Sequence, residues 1–328
     1  MVNRSDDGAS HAGHDVGMND RVLITGASGF IGRHLVTALA KDGVVVTAAT
    51  RSDAGDFSPA VRRVRLPDLN GRVDWLALLD NIDVVVHLAG IAHTRARNDA
   101  YNRVNRVATA DLAAAGAKAG IRRLVFMSSI RAQIGPSAHH VISEDDAPKP
   151  TDDYGRSKLA AEDAVRASGV PFTILRPTLI YGSQVKGNFA ALLRLVASPW
   201  PLPFAALRNR RSLTGTDNLI EAVRFALATR AAGETYIVAD PAPLTVAEIL
   251  ATLRSAFHAS PRLFPVPPAL FAAAFAALGR GDLWQRIGGE LIADPRKLLA
   301  EGWQPLVTTR EGLIKMAKAA NEALLAKA

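Results

Sequence analysis

The chain has 328 residues, 48% of them hydrophobic and 21% charged, a mixture typical of one large globular domain or two coupled ones. Its 39 Lys and Arg residues exceed its 31 Asp and Glu residues, so the net charge is +8 and anionic partners are favoured. The arginines form scattered pairs rather than a basic run with interleaved aromatics, so nucleic acid is not an expected partner. The absence of cysteine excludes disulfides and thiolate metal sites, and it suits a reducing cytoplasm.

The N-terminal segment is polar and lacks the apolar stretch of a secretory signal. We expect residues 1–19 to form a disordered tail that precedes the first strand. His11 and His14 in this tail are interpreted as solvated side chains, and no metal site is expected in the chain.

Short apolar strands and amphipathic helices alternate through the first half of the chain. The strands are predicted at 21–25, 44–49, 83–88, 123–127, 172–175 and 235–239. The first helix runs from near Ile31 to Gly43, and others are predicted at 101–118, 153–168 and 217–229. Apolar strands that alternate with helices indicate an α/β fold, a doubly wound parallel sheet of the Rossmann type.

The pattern changes after Arg176, and beyond Asp240 the chain is mostly helical with Pro-rich joints. We therefore expect a smaller, mostly helical C-terminal substrate domain interleaved with the last elements of the sheet. The boundaries are 20–177 and 214–240 for the Rossmann domain, and 178–213 and 241–328 for the substrate domain.

The most apolar segment of the chain is the run at 269–278. It is about half as long as the ~20 residues that a bilayer-spanning helix needs, so stable membrane insertion is not expected. We interpret it as a buried core helix, with docking to a membrane surface as the alternative.

A glycine-rich segment, GASGFIG, follows the first strand and opens the first helix. Gly26 allows a tight turn, Gly29 lets the backbone approach a pyrophosphate, and Gly32 lets the helix pack closely on the sheet. The N–H groups and dipole of the helix start would then hold the phosphates. The predicted cofactor-binding residues of this loop are Gly26, Ser28, Gly29, Phe30, Ile31 and Gly32.

The segment YGRSK places Tyr154 and Lys158 four residues apart. On a helix both side chains share one face, with Cβ atoms about 5–6 Å apart. A free tyrosine titrates near 10, too high for an efficient base at neutral pH. We expect the Lys158 ammonium, with a cationic nicotinamide, to lower the pKa of Tyr154 for proton transfer at a carbinol oxygen, while Lys158 also holds the cofactor ribose.

Together, the Gly-x-x-Gly-x-x-Gly spacing, a strand that ends in Ser128-Ser129, and the Tyr154–Lys158 pair resemble the extended short-chain dehydrogenase/reductase family. This family contains nucleotide-sugar epimerases, dehydratases and 4-keto reductases. The resemblance runs from about Asp20 to the C-terminal helix. It implies that Ser129 completes the catalytic group and that Ser128 and Ser129 contact the substrate.

The resemblance also assigns further cofactor contacts. Asp68-Leu69 matches a pair that contacts the adenine in the family. Leu88-Ala89-Gly90 matches a turn of small residues under the cofactor, and Pro177 matches a proline beside the nicotinamide. The acid that bonds the ribose 2′-OH in NAD-preferring members is missing near Thr50, and Arg51 could pair with a 2′-phosphate. NADP is therefore slightly favoured over NAD; the alternative for Arg51 is an exposed loop residue.

Two residues are implied to contact the sugar nucleotide. Asn188 lies where members contact it, and Arg211 matches the arginine that clamps the diphosphate, since a guanidinium donates two parallel bonds to phosphate. The alternative for Arg211 is a solvated loop cation. The stretch Asp294-Pro-Arg-Lys297 with Gly302-Trp303-Gln304-Pro305 resembles the C-terminal signature of extended members with a sugar-nucleotide lid.

These parts imply NAD(P)-dependent oxidoreduction at C4 of a nucleoside-diphosphate hexose. A 4-keto reduction or a 4-epimerisation of a UDP-hexose for surface polysaccharide would use the same residues. A 4,6-dehydratase fits less well, because Ser129-Ile130-Arg131 stands where those members carry Thr-Asp-Glu. The alternative from another class is a catalytically weak NADPH-binding scaffold or sensor. We expect a cytoplasmic homodimer.

Overall fold

A computed structural model describes residues 20–51, 57–92, 98–185, 188–228, 232–257 and 260–325. The expected tail at 1–19, with His11 and His14, lies outside the described residues. The strands are β1 (Arg21–Thr25), β2 (Val45–Thr50), β3 (Arg62–Arg65), β4 (Val84–His87), β5 (Arg123–Met127), β6 (Phe172–Pro177), β7 (Leu179–Tyr181), β8 (Arg210–Arg211), β9 (Leu213–Gly215), β10 (Glu234–Val238) and β11 (Leu244–Thr245).

The helices surround this framework and become more frequent toward the C-terminus. They are α1 (Phe30–Lys41), α2 (Trp75–Leu78), α3 (Asn98–Tyr101), α4 (Ala108–Ala119), α5 (Ile130–Gln133), α6 (Asp153–Ala167), α7 (Asn188–Ala197), α8 (Thr216–Ala228), α9 (Val246–Arg254), α10 (Pro268–Ala277), α11 (Gly281–Gly288), α12 (Arg296–Ala300) and α13 (Thr309–Leu325). No described helix combines the length and the hydropathy needed to traverse a lipid bilayer.

Seven of the strands form one parallel sheet in the order β10-β6-β5-β4-β1-β2-β3. The chain starts in the middle at β1, moves to one edge through β2 and β3, and then crosses back to build the other half. This topology confirms the predicted doubly wound Rossmann sheet. It also brings the carboxyl ends of β1, β2, β4, β5 and β6 to one edge, where ligands bind in such sheets.

Alternate residues of the central strands enter two separate hydrophobic cores. Val22 and Ile24 of β1 belong to one core, whereas Leu23 between them belongs to the other. The same alternation holds along β4 and β5. Because successive strand side chains point to opposite faces, the sheet is covered on both sides, as the continuous apolar strands predict.

A third core lies among the C-terminal elements. It contains Tyr181 at the end of β7, Leu213 of β9, Leu250 of α9 and Leu313 of α13. The part of the chain that follows β6 is therefore largely helical and has its own apolar packing, in line with the expected helical C-terminal part.

The apolar run at 269–278 contradicts the sequence expectation. It forms α10, but none of the residues of this helix is buried. Phe271 and Phe275 turn inward, where both rings stack on Trp284. Most of the other residues of the helix are exposed alanines and leucines, because α10 packs against α11 and Phe204 with its aromatic side only.

Two other elements differ from their predicted form. The predicted helix at 101–118 is α3 and α4 joined by a π-helical stretch, Asn102–Val107. β3 was not predicted, since its sequence RRVR has no apolar run. It pairs with β2 at the edge of the sheet and is mostly exposed, so it needs few apolar side chains.

A buried ion pair joins α6 to the end of β6. Glu162 Oε2 and Oε1 accept hydrogen bonds of 2.5 Å and 2.9 Å from Arg176 Nη2 and Nε. Oε1 also accepts a 2.5 Å bond from the Ser128 hydroxyl at the end of β5. Both charged side chains are almost wholly excluded from solvent. Removal of one partner would leave the other charge buried and uncompensated.

We therefore expect Glu162→Ala to lower the free energy of unfolding by about 3–5 kcal/mol. The matched control is Asp163→Ala, because Asp163 also pairs with Arg166 but its side chain is 67% exposed. Its change should stay within about 0.5 kcal/mol. Denaturant unfolding measures both values, and equal losses in the two variants would contradict a structural role for the buried pair.

Candidate active site

The glycine loop has the shape that a dinucleotide pyrophosphate requires. Gly26 has φ of +70°, and a Cβ there would lie 2.8 Å from the Ala89 nitrogen. A Cβ on Gly32 would collide with the Gly26 carbonyl oxygen, with which the Gly29 N–H makes a 2.9 Å hydrogen bond. Each glycine is thus needed because a side chain would fill the turn or push the helix off the sheet.

The start of α1 supplies unpaired backbone donors. Gly29 caps the helix with no side-chain hydrogen bond, so the first N–H groups, those of Phe30, Ile31 and Gly32, have no capping acceptor. Ser28 lies in the preceding turn, where its carbonyl accepts a 3.0 Å bond from Arg33 Nε. This arrangement fits a phosphate at the helix N-terminus.

The segment Leu88-Ala89-Gly90 packs directly against the glycine loop. The Leu88 N–H donates to the Thr25 carbonyl at 3.2 Å, and the Ala89 N–H donates to Thr25 Oγ1 at the same distance. Gly90 lies next to Lys158, since a Cβ there would be 3.6 Å from Lys158 Nζ. The predicted turn therefore connects the phosphate end of the site with the Tyr154–Lys158 end.

The remaining predicted cofactor residues lie at the carboxyl edge of the sheet. Arg51 follows β2 and is exposed. Asp68 is exposed and its Oδ1 accepts a 3.0 Å bond from the Asn70 N–H, whereas Leu69 is buried in the core. Pro177 is buried at the end of β6.

Ser129 and Tyr154 meet at the active centre. Ser129 lies close enough to the phenol to lower its pKa, and the half-buried ring of Tyr154 lies 6.2 Å from the ring of Tyr101 between centroids. Ser129 lies two residues after β5 in extended conformation and caps α5, and its Oγ accepts a 3.2 Å bond from the Arg131 N–H. This bond fixes the Ser129 side chain at the start of α5.

Burial raises the pKa of the Tyr154 phenol to about 12, and the nearby Ser129 side chain opposes this only in part. The negative charge of Asp152 adds to the rise. The lowering predicted from Lys158 together with a cationic nicotinamide stays a prediction. In the chain alone, Lys158 is not among the groups that lower this pKa. The reason is geometric: the Lys158 ammonium donates a 2.8 Å bond to the Met127 carbonyl and lies 4.8 Å from the centre of the Phe126 ring.

Burial lowers the pKa of Lys158 to about 8, although the negative charge of Glu162 opposes the shift. Tyr154, Lys158 and Glu162 follow one another at intervals of four along α6. They thus lie on one helix face, with the phenol at the site and the carboxylate deep in the core.

Ser128 does not join this group. Its hydroxyl donates to Glu162 in the buried ion-pair network, so the structure gives the two serines different tasks. The family resemblance had already made Ser129 the catalytic candidate, but nothing in the sequence indicated that Ser128 belongs to the ion-pair network, because its partner Glu162 lies 34 residues away along the chain.

Arg211 lies near a second arginine that the sequence motif did not assign. Arg211 Nη1 donates a 2.7 Å bond to the Pro136 carbonyl, and Nη2 bonds the Arg286 carbonyl. Burial lowers the pKa of Arg211 to about 10, and the positive charge of Arg131 adds to this. Arg131 itself donates a 2.6 Å bond to Asp152. The charges of Arg131 and Arg211 thus act on each other, while protein oxygens hold both guanidinium groups.

Asn188 begins α7, and its side chain lies outside the described residues.

Asn105 is a buried positioning residue that sequence reasoning missed. Its Oδ1 accepts a 2.9 Å bond from the Ile91 N–H, and its Nδ2 donates to the Ser157 hydroxyl at 3.0 Å. It stands in the π-helical stretch, a distortion common at functional sites. Asn105 thus ties the Gly90 turn to the helix that carries Lys158.

The C-terminal signature is structural in this chain. Trp303 is buried in the same core as β1, and Lys297 Nζ donates a 2.7 Å bond to Glu234 at the start of β10. The stretch therefore packs on the edge of the sheet. Within the described residues, no cluster of three or more His, Cys, Asp and Glu side chains could hold a metal ion.

The lowered pKa of Lys158 has a measurable consequence. The folded chain binds fewer protons than the unfolded chain between the folded pKa of about 8 and the ordinary value of 10.5. We expect the stability of the wild type relative to Lys158→Met to rise with pH across this window. Denaturant unfolding of both proteins at several pH values tests it, and parallel pH curves would show that burial does not shift the lysine.

Comparisons with known proteins agree with this geometry. The model of the NAD dependent epimerase/dehydratase family matches residues 22–239. A UDP-glucose 4-epimerase of Vibrio cholerae is 33% identical over 318 residues, which cover 92% of this chain and 96% of the relative. A second relative is 30% identical over 254 residues, which cover 74% of this chain and 73% of the relative. It is the N-acetyl-alpha-D-glucosaminyl-diphospho-ditrans,octacis-undecaprenol 4-epimerase of Escherichia coli O157:H7.

A solved structure, MoeE5 in complex with UDP-glucose and NAD, has a TM-score of 0.73 and 27% identity, and the match covers 93% of this chain and 99% of MoeE5. The match to the family model, residues 22–239, spans the sheet from β1 to the end of β10. It includes the glycine loop and the Tyr154–Lys158 pair. The chain is therefore an enzyme that belongs to the NAD-dependent epimerase/dehydratase family.

Proposed function

We propose that this enzyme interconverts the C4 configuration of a UDP-hexose, with 4-keto reduction as the second outcome of the same chemistry. One observation carries the proposal: Ser129, Tyr154 and Lys158 come together next to a glycine loop that fits a dinucleotide. The names of the Vibrio cholerae relative and of the MoeE5 complex support a UDP-sugar and NAD. Epimerisation is better supported than reduction because both named relatives are 4-epimerases.

Each residue has a defined task in this proposal. A dinucleotide held by the glycine loop and the start of α1 would supply and accept hydride. Tyr154 Oη transfers a proton to or from the C4 oxygen, and the Ser129 hydroxyl holds that oxygen in place. With a pKa near 12 in the chain alone, Tyr154 is a phenol and is ready to donate.

Lys158 and the arginines orient the ligands. Lys158, fixed by the Met127 carbonyl, lies where a ribose hydroxyl would meet the Gly90 turn. Arg131 and Arg211 would bind the substrate diphosphate, and Arg211 would exchange its carbonyl partners for phosphate oxygens.

A second substrate class is favoured by the exposed apolar face of α10. The Escherichia coli relative is named for a sugar diphosphate carried on undecaprenol. α11 follows α10 directly, and its Arg286 carbonyl bonds Arg211. A lipid-linked sugar diphosphate could therefore place its diphosphate at Arg211 and its lipid along α10.

Three further expectations belong to the proposal. Residues 20–177 and 214–240 would bind the dinucleotide, and 178–213 with 241–328 would bind the sugar substrate. The enzyme would act in the cytoplasm as a homodimer paired through the helices beside α6. Surface-polysaccharide synthesis would use its product.

We expect Tyr154→Phe to reduce turnover of UDP-glucose to UDP-galactose by about 10²–10⁴-fold, because it removes the proton-transferring group. Dinucleotide affinity should stay close to that of the wild type. Product analysis by chromatography measures the first, and fluorescence titration with NADH the second. The control is Tyr101→Phe, which keeps the neighbouring ring. Undiminished turnover in Tyr154→Phe would refute the assignment.

Arg51→Asp tests whether the residue after β2 selects the cofactor. If Arg51 pairs with a 2′-phosphate, the ratio of NADP to NAD affinity falls by about 10–100-fold, the value of a charge-assisted hydrogen bond. Arg62→Asp at the opposite end of the neighbouring strand is the control. An unchanged ratio would assign Arg51 to the exposed loop and leave NAD as the cofactor.

A further inference from the structure

An apolar surface lies among the C-terminal elements. Two segments build it: 199–205, after α7, and 262–278, which includes α10. The two are joined by backbone hydrogen bonds, since the Leu202 N–H donates to the Arg262 carbonyl and the Phe264 N–H donates to the Leu202 carbonyl, each at 3.0 Å. Phe204 of the first segment stacks on Phe271 of the second, with centroids 5.4 Å apart.

The outward side of this surface carries large apolar side chains. Trp200 is 74% exposed, Phe264 45%, Leu270 60% and Leu278 72%. The helix face between the two leucines consists of exposed alanines. Several large apolar side chains exposed on two joined segments indicate an interaction site rather than an ordinary protein surface.

The charges of the same region have one sign. The sequence holds no Asp or Glu between Asp163 and Asp217, nor between Glu248 and Asp282. Exposed arginines flank the apolar side chains: Arg262, whose Nη1 donates a 3.3 Å bond to the Pro199 carbonyl, and Arg280, two residues after Leu278.

A buried cation strengthens the positive potential of this region. Arg254 is excluded from solvent, and its guanidinium nitrogens have no hydrogen-bond partner among the described residues. It lies close enough to Arg262 for the two positive charges to act on each other. An anionic group at Arg262 would offset both charges.

We propose that this apolar surface binds the face of a bilayer that contains anionic phospholipids. Trp200, Phe264, Leu270 and Leu278 enter the headgroup region, and Arg262 and Arg280 pair with phosphates. A second copy of the chain is the competing occupant. A two-fold interface would place this surface against the same surface of the second copy. The arginines of the two copies would then approach one another, and neither segment has a carboxylate to pair with them. The bilayer is favoured because its charge is complementary.

The test is co-flotation of the full chain with vesicles and no sugar substrate, so its outcome is independent of the proposed function. Two compositions are compared: phosphatidylcholine alone, and an equimolar mixture with phosphatidylglycerol. We expect about tenfold tighter binding to the anionic vesicles, and weaker binding as the salt concentration rises.

Substitutions on exposed positions separate the apolar and the charged contributions. Leu270→Glu should weaken binding to the anionic vesicles by about tenfold or more, and Arg262→Gln by about fivefold. The matched controls are Leu76→Glu and Arg103→Gln, which are equally exposed but lie outside the two segments. Thermal unfolding and NADH binding confirm that each variant is folded.

Two results would overturn the proposal. Equal flotation with both vesicle types, unchanged by Leu270→Glu, would show that this surface does not bind anionic bilayers. In the second result, Leu270→Glu leaves vesicle binding unchanged, but light scattering shows that it converts a dimer into a monomer. That result would assign the surface to a second copy of the chain.

Discussion

The geometry of this enzyme depends on one buried carboxylate. Glu162 lies on the same face of α6 as Tyr154 and Lys158, and it binds both Arg176 at the end of β6 and Ser128 at the end of β5. This interaction fixes the height of the catalytic helix above the strand ends. Because charges without a partner are costly in a dry interior, the helix cannot slide without a large penalty.

The site combines rigid backbone with titratable side chains that the fold has shifted away from their ordinary pKa values. Burial raises the pKa of the Tyr154 phenol and lowers the pKa of the Lys158 ammonium, so both groups favour their neutral forms more than they do in water. The Gly90 turn, held by Asn105, lies against Lys158. The protein thus prepares a low-dielectric pocket in which an added charge has a strong effect on the phenol.

The C-terminal part connects Arg211 with the exposed surface of the chain. The positive charge of Arg131 acts on Arg211, and α11 connects Arg211 with the apolar face of α10. The same short segment of chain thus joins the proposed diphosphate site to an exposed apolar surface. This proximity is the structural basis for considering substrates or partners with an apolar component.

The sequence by itself determined the parallel sheet, because buried strands such as 21–25 and 123–127 have continuous apolar runs. It also identified the glycine loop and the Tyr154–Lys158 pair through their fixed spacing. Only the tertiary structure decided the partners. It directed Ser128 to Glu162 and Ser129 to Tyr154, left α10 exposed, and placed Arg131 near Arg211. The physical reason is that spacing along the chain sets local geometry, whereas the burial and pKa of a side chain depend on segments distant in sequence that pack against it.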